Sequence, residues 1–177
     1  MNLILLGGAN PATKKWVDEV EASVKSGFES TTVQRYLNWE TGAEDVDFNY
    51  ETDRLRRTAT ERSDVMIFAK SAGALVTLRA IRESVVKPDK CVFVGIPVNY
   101  AREKHIPIDG WLEGYATPTL FVQQTEDPAI GFSGLATLLD SRGVTNHTMI
   151  EIPGNDHYYD DVPQLGQLIT DFATREI

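Results

Sequence analysis

The stretch Asp64-Val65-Met66-Ile67-Phe68-Ala69-Lys70-Ser71-Ala72-Gly73-Ala74 decides how this chain is read. An apolar run of strand character meets a small-x-Ser-x-small turn and gives way at once to helix-forming residues. The positions two residues either side of the serine, Ala69 and Gly73, are small enough for a tight backbone. Such a turn holds a hydroxyl above the sheet edge, beside the positive end of the following helix. Taken alone the segment admits two readings: an exposed nucleophile, or a serine that N-caps a helix whose small residues pack on a strand.

Two later sites favour the nucleophile. The strand-like Thr119-Leu120-Phe121-Val122-Gln123 runs into Gln124-Thr125-Glu126-Asp127-Pro128, and Thr148-Met149-Ile150-Glu151-Ile152 runs into Pro153-Gly154-Asn155-Asp156-His157. Ser, Asp and His thus follow the C-terminal ends of three strands, which share one rim in an open parallel sheet.

In these residues, and over nearly its whole length, the chain resembles the α/β-hydrolase superfamily, whose triad follows the order Ser, acid, His with the serine on a strand-to-helix elbow. It looks closest to the small, lid-poor members, the dienelactone-hydrolase-like and compact esterase-like proteins. The resemblance implies an α/β fold, a three-layer α/β/α sandwich with a mainly parallel sheet, and a catalytic set of Ser71, His157 and Asp127. His157 is the base for the Ser71 proton, and Asp127 fixes its tautomer. Glu126 and Asp156 compete for the acid's place, and the family's layout favours Asp127. For the oxyanion the backbone N–H of Ala72 is the first donor, and the loop after the first strand supplies the second, Ala9 ahead of Asn10. Asn10, Lys70 and Tyr158 are candidates to touch substrate, Lys70 being otherwise solvent-facing or paired to an acid. The chain departs from the family in carrying Ala69 where glycine is usual, and Gly7-Gly8-Ala9-Asn10 without a His-Gly pair.

Composition fits an ordinary globular protein: 177 residues, 42% hydrophobic and 24% charged, read as one domain over 1–177. A net charge of −9 and a pI near 4.8 argue against nucleic acid or an anionic membrane as partner. No stretch nears the roughly 18 apolar residues of a membrane span. Met1 to Gly8 lacks a basic segment before its apolar run and reads as a first strand, with cytoplasm as the default location. Cys91 lies alone in an apolar run, a buried thiol by expectation. His105 and His147 read as surface residues, no spacing suggests a metal site, and no cofactor is implied. Gly7-Gly8 is neither a dinucleotide fingerprint nor a P-loop, and a nucleotide binder would leave the Ser/Asp/His arrangement unexplained.

Strand and helix candidates alternate along the chain, which implies right-handed crossovers. Asn10-Pro11 reads as a helix start, with Trp16, Val17, Val20 and Val24 on one face. A strand over Thr31–Tyr36 leads into a polar, turn-rich stretch, Asn38–Asn49, then a charged helix, Tyr50–Arg62. Ala74, Leu75, Leu78 and Ile81 mark the buried face of the helix after the elbow. The segment 97–116 is a possible short cap, whose Tyr100, Ile106, Ile108, Trp111, Leu112 and Tyr115 could cover a pocket. The expected function is cleavage of a small carboxylic ester or thioester, a small-molecule acyl substrate, through an acyl-enzyme intermediate. The alternative is a catalytically inactive protein of the same fold that binds a small ligand or a partner. Oligomeric state leaves no mark in the sequence.

Overall fold

The computed structural model describes residues 1–176 and threads the chain through β1 (Asn2–Leu6), α1 (Thr13–Val24), β2 (Ser30–Gln34), α2 (Leu37–Thr41), α3 (Phe48–Thr60), β3 (Val65–Lys70), α4 (Ala72–Arg82) and β4 (Lys90–Val94). It continues through α5 (Val98–Glu103), α6 (Ile108–Leu112), β5 (Thr119–Gln124), α7 (Phe132–Ser141), β6 (His147–Ile152) and α8 (Val162–Thr174). The six strands form one sheet in the order β2-β1-β3-β4-β5-β6, every neighbouring pair parallel. The inner strands β1, β3, β4 and β5 are buried along their whole length. Strands covered on both faces have no polar side to show, so they read as continuous apolar runs instead of alternating ones.

The strand order places the functional rim. From β1 the chain crosses outward to β2, and from β3 onward it crosses the other way, so the loops leaving β1 and β3 diverge. That reversal is a topological switch point, where a crevice opens at the C-terminal strand ends. Helices α1 and α8 pack on each other, while α4 packs against α3 and α6. The buried side of α4 is broader than the stripe read from the sequence. Ala72 through Leu78 and Ala80 are all buried, whereas Ile81 is only half-buried.

Three local readings are corrected. Helix α1 begins at Thr13, because Asn10 closes a turn instead of capping: its Oδ1 accepts the Ala12 N–H at 2.8 Å and its carbonyl accepts the Thr13 N–H at 2.9 Å. The turn-rich stretch 38–49 begins inside α2, which buries Trp39. Segment 97–116 holds two short helices, with Ile108, Leu112 and Tyr115 buried in the core and Tyr115 against Phe93 at 6.3 Å. Helices of five or six residues are too short to declare themselves by periodicity. Among the described residues no helix is long and apolar enough to cross a membrane.

Candidate active site

Ser71 sits at φ 52°, ψ −118°, a conformation that L-residues rarely occupy. Its N–H donates to the Val94 carbonyl at 3.0 Å, which pins the turn to the neighbouring strand. Gly73 is the residue that permits the turn. A Cβ there would lie 2.7 Å from Leu6 Cβ and 2.9 Å from the Leu6 carbonyl oxygen, so helix α4 starts in contact with the end of β1. Ala69, the departure from the usual glycine, is fully buried in β3 between Leu6 and Phe93.

Asp127 and His157 meet at this turn from the loops after β5 and β6. His157 Nε2 lies 3.1 Å from Ser71 Oγ, and His157 Nδ1 lies 2.9 Å from each carboxylate oxygen of Asp127. An ionised carboxylate can only accept, so Nδ1 carries the proton and Nε2 is free to accept from the serine hydroxyl. Asp127 is 3% exposed and also accepts from Tyr159 Oη at 2.7 Å and the Ala129 N–H at 2.8 Å. Burial pushes its pKa up, but the hydrogen bonds from His157, Tyr159 and Ala129 outweigh that and hold it below the ordinary aspartate value. Glu126 is exposed, and Asp156 accepts from Gln124 Nε2 and the Tyr158 N–H, away from the imidazole.

Three further residues hold this arrangement. Gln124 Oε1 accepts the N–H groups of Asp156 and His157, each at 3.1 Å, and its Nε2 donates to the Tyr158 carbonyl, clamping the histidine loop onto β5. Tyr159 Oη accepts the Gln124 N–H at 3.0 Å while donating to Asp127. Gly95, at φ 58°, leaves the space that His157 and Tyr159 fill; a Cβ would lie 2.7 Å from the Tyr159 ring and 3.1 Å from His157 Cε1. The turn after β4 could have been suspected from Gly95 following an apolar strand, but nothing in the sequence points to Gln124.

The loop after β1 is held from behind. Gly7 O accepts from Tyr36 Oη at 3.0 Å, Gly8 O from Thr13 Oγ1 at 3.0 Å and Trp39 Nε1 at 3.2 Å, and Ala9 O from Trp39 Nε1 at 3.1 Å and Asn38 Nδ2 at 2.9 Å. Three successive carbonyls are thus engaged by side chains around α2 and α1. The N–H groups of Ala9 and Ala72 donate to no protein acceptor among the described residues. A Cβ on Gly8 would lie 3.7 Å from Ser71 Cβ, which puts this loop beside the serine.

A cavity of about 520 Å³ opens here, lined by Ala9, Asn10, Trp16, Lys70, Ser71, His157, Tyr158 and Tyr159 among others. Asp127 and Ala72 are buried and do not line it. Lys70 is neither solvent-facing nor ion-paired. It is 7% exposed, with Nζ 5.7 Å from the Trp16 ring centroid and 5.9 Å from that of Tyr159. Burial lowers its pKa, opposed by the Asp127 and Asp160 carboxylates. None of the six apolar residues of 97–116 lines the cavity; they pack on or within the core, so this segment does not cap it. His105 is exposed and His147 stands edge-on to Phe121 at 5.9 Å, both away from the cavity. Among the described residues no group of three or more His, Cys, Asp and Glu is placed to hold a metal ion.

No protein-family model and no curated protein sequence matches the chain. Solved structures do. A protein named as a YdeN-like hydrolase from Pectobacterium atrosepticum superposes with a TM-score of 0.72 at 15% identity, covering 98% of this chain and 90% of that one. Est1E from Butyrivibrio proteoclasticus, solved with ferulic acid, gives 0.71 at 13% identity over 97% of this chain and 87% of that one. The RedJ thioesterase of the prodiginine pathway in Streptomyces coelicolor gives 0.65 at 14% identity over 99% and 90%. The protein has the α/β-hydrolase fold, as the chain order of its elbow, acid and histidine implies.

Proposed function

We propose that this protein is a cofactor-free serine hydrolase that cleaves a small carboxylic ester or thioester through an acyl-enzyme. One observation carries the reading. Ser71 Oγ, His157 Nε2, His157 Nδ1 and Asp127 form a continuous hydrogen-bonded line, 3.1 Å and then 2.9 Å, drawn from three loops far apart in sequence. A half-buried histidine bridging a strained serine and a sealed carboxylate has no need to exist for stability, and it is the arrangement that activates an alcohol. Neighbours of this fold named as hydrolases, a carbohydrate esterase and a thioesterase support the class of reaction.

In this reading Ser71 Oγ attacks the substrate carbonyl as its proton passes to His157 Nε2, and the Asp127 carboxylate stabilises the imidazolium. The tetrahedral oxyanion is held by the Ala72 and Ala9 N–H groups, neither of which donates to a protein acceptor among the described residues. As the intermediate collapses, the imidazolium gives its proton to the departing alkoxide or thiolate, leaving the acyl group on Ser71. Water then attacks the acyl-enzyme, its proton going to His157, and the acid product leaves as Oγ recovers its proton. The cavity suits a small acyl group, and Asn10, Lys70 and Tyr158 stand where they can touch it.

A fluorophosphonate probe tests the nucleophile, with the labelled residue found by mass spectrometry. The expected result is one label on Ser71, absent from Ser71→Ala and strongly slowed in His157→Ala. A folded protein that takes no label would overturn the reading in favour of a ligand-binding protein of the same fold.

A further inference from the structure

Lys70 is the only lysine or arginine among the described residues that line the cavity, and no carboxylate forms an ion pair with it. The side chain is 7% exposed, yet Nζ has no hydrogen-bond acceptor and no carboxylate within the 4.0 Å of an ion pair. An ammonium carries three donors, and burying it without acceptors is costly. The faces of Trp16 and Tyr159, 5.7 and 5.9 Å away, offset part of that cost through their π clouds but supply no acceptor oxygen. Both rings are fixed: Trp16 Nε1 donates to the Tyr159 carbonyl at 2.8 Å, and Tyr159 Oη is tied to Asp127.

Two of the three acids nearby are otherwise engaged. Asp127 already receives His157, Tyr159 and Ala129, and Asp156 receives Gln124 and Tyr158. Asp160 is exposed at the rim and makes no ion pair with Lys70. Lys70 also precedes the nucleophile in the chain, so its ammonium lines the same cavity that the acyl group enters. A group that brings its own negative charge would complete this site, and the acids at the rim would discourage that charge from settling elsewhere.

We infer that Lys70 binds a carboxylate carried by the substrate, making the preferred ester or thioester one with an anionic group a few atoms from the scissile carbonyl. The inference rests on the hydrolase reading and names its substrate class. The carboxylate can belong to the acyl part, as in the half-ester of a short dicarboxylic acid, or to the leaving group.

Two matched pairs distinguish these sources. Monoethyl adipate and its neutral amide, ethyl adipamate, place the charge on the acyl side; 4-acetoxybutanoate and 4-acetoxybutanamide place it on the leaving group. In the wild-type protein, kcat/KM for the carboxylate of at least one pair should exceed that of its amide by about tenfold or more, as expected for a desolvated charge pair. In Lys70→Met the ratio should fall to about one. Equal rates within both pairs would overturn the inference without recourse to any variant, and so would a preference that survives in Lys70→Met.

Calorimetric binding of the same four compounds to Ser71→Ala needs no turnover and separates the two claims. If the serine takes no fluorophosphonate but the carboxylates still bind more tightly than the amides in a Lys70-dependent manner, the hydrolase reading fails and the anion site stands. Labelling at Ser71 without charge discrimination in rate or binding would remove the anion site and leave the hydrolase reading intact.

Discussion

Asp127 shows what single side chains are asked to do at this site, because every hydrogen bond it accepts comes from a nameable donor. Replacing it by Asn keeps the shape but offers His157 an amide, which no longer selects the tautomer with the proton on Nδ1. Ester turnover by Asp127→Asn should fall on the order of 10⁴-fold with the fold retained, measured by steady-state kinetics beside circular dichroism. Tyr159 acts through Asp127, and its removal has a pH signature. Because the folded pKa of Asp127 is depressed, its stabilising contribution is present above the unfolded value of about 3.9 and lost as pH falls through the folded value. Tyr159→Phe should therefore cost about 1.5–3 kcal/mol at pH 7, as for a hydrogen bond to a charged group, and less at pH 3. Urea denaturation at the two pH values reads this, and a pH-independent loss would reduce Tyr159 to packing. Ser71, Asp127 and His157 were legible because each is a reactive residue type placed just past a strand end. Gln124 and Gly95 were not, since their work lies wholly in contacts between loops that sequence does not juxtapose.

At the scale of elements, the inner strands were plain in the sequence because burial on both faces demands unbroken apolar runs. The short helices were hidden, and α2 is the costly omission, since it backs the loop after β1. Tyr36, Asn38 and Trp39 at its start take the carbonyls of Gly7, Gly8 and Ala9, and a loop whose carbonyls are held back presents its N–H groups forward. The Asn38–Asn49 stretch looked like a polar loop because a single turn of helix has too few residues to show a face, and because the Trp39 indole serves as a donor as well as an apolar group. Trp39→Phe keeps most of the packing and deletes the donor shared by Gly8 and Ala9. If Ala9 holds the oxyanion, this change should lower kcat roughly 10-fold or more while moving KM little, because the interaction is made only in the transition state. A rise in KM at constant kcat would assign the loop to substrate binding instead.

The whole molecule joins these parts through a sheet whose interior also stores protons. Tyr36, Tyr115 and Tyr159 are all buried and hydrogen-bonded, to Gly7 O, Thr119 Oγ1 and Asp127 respectively, and burial holds each pKa above that of an exposed tyrosine. Burial likewise pushes the Cys91 thiol in β4 up to about 12. For a group whose folded pKa is raised, the stabilising contribution is complete below the unfolded pKa and is lost as pH rises through the folded value. The unfolded chain releases these protons first, near pH 8.5 for the thiol and near 10 for the phenols, and stability then falls by about 1.4 kcal/mol per pH unit for each group. Between pH 10 and 11 the four together call for a slope approaching about 5 kcal/mol per unit, enough to unfold an ordinary domain within two units. The net charge of −9 adds self-repulsion in the same direction. Urea denaturation from pH 8 to 11, followed by tyrosinate absorbance in a protein with exposed Tyr50 and Tyr158 and half-buried Tyr100 replaced by Phe, should show the three buried phenols ionising with unfolding and not before it. Cys91→Ala should flatten the limb between about pH 8.5 and 9.5, where the thiol is the main one of the four groups to titrate in the unfolded chain. Tyrosinate from Tyr36, Tyr115 or Tyr159 appearing while the fold of that protein persists would mean that these side chains reach solvent in the native state, and the sealed interior would have to be given up.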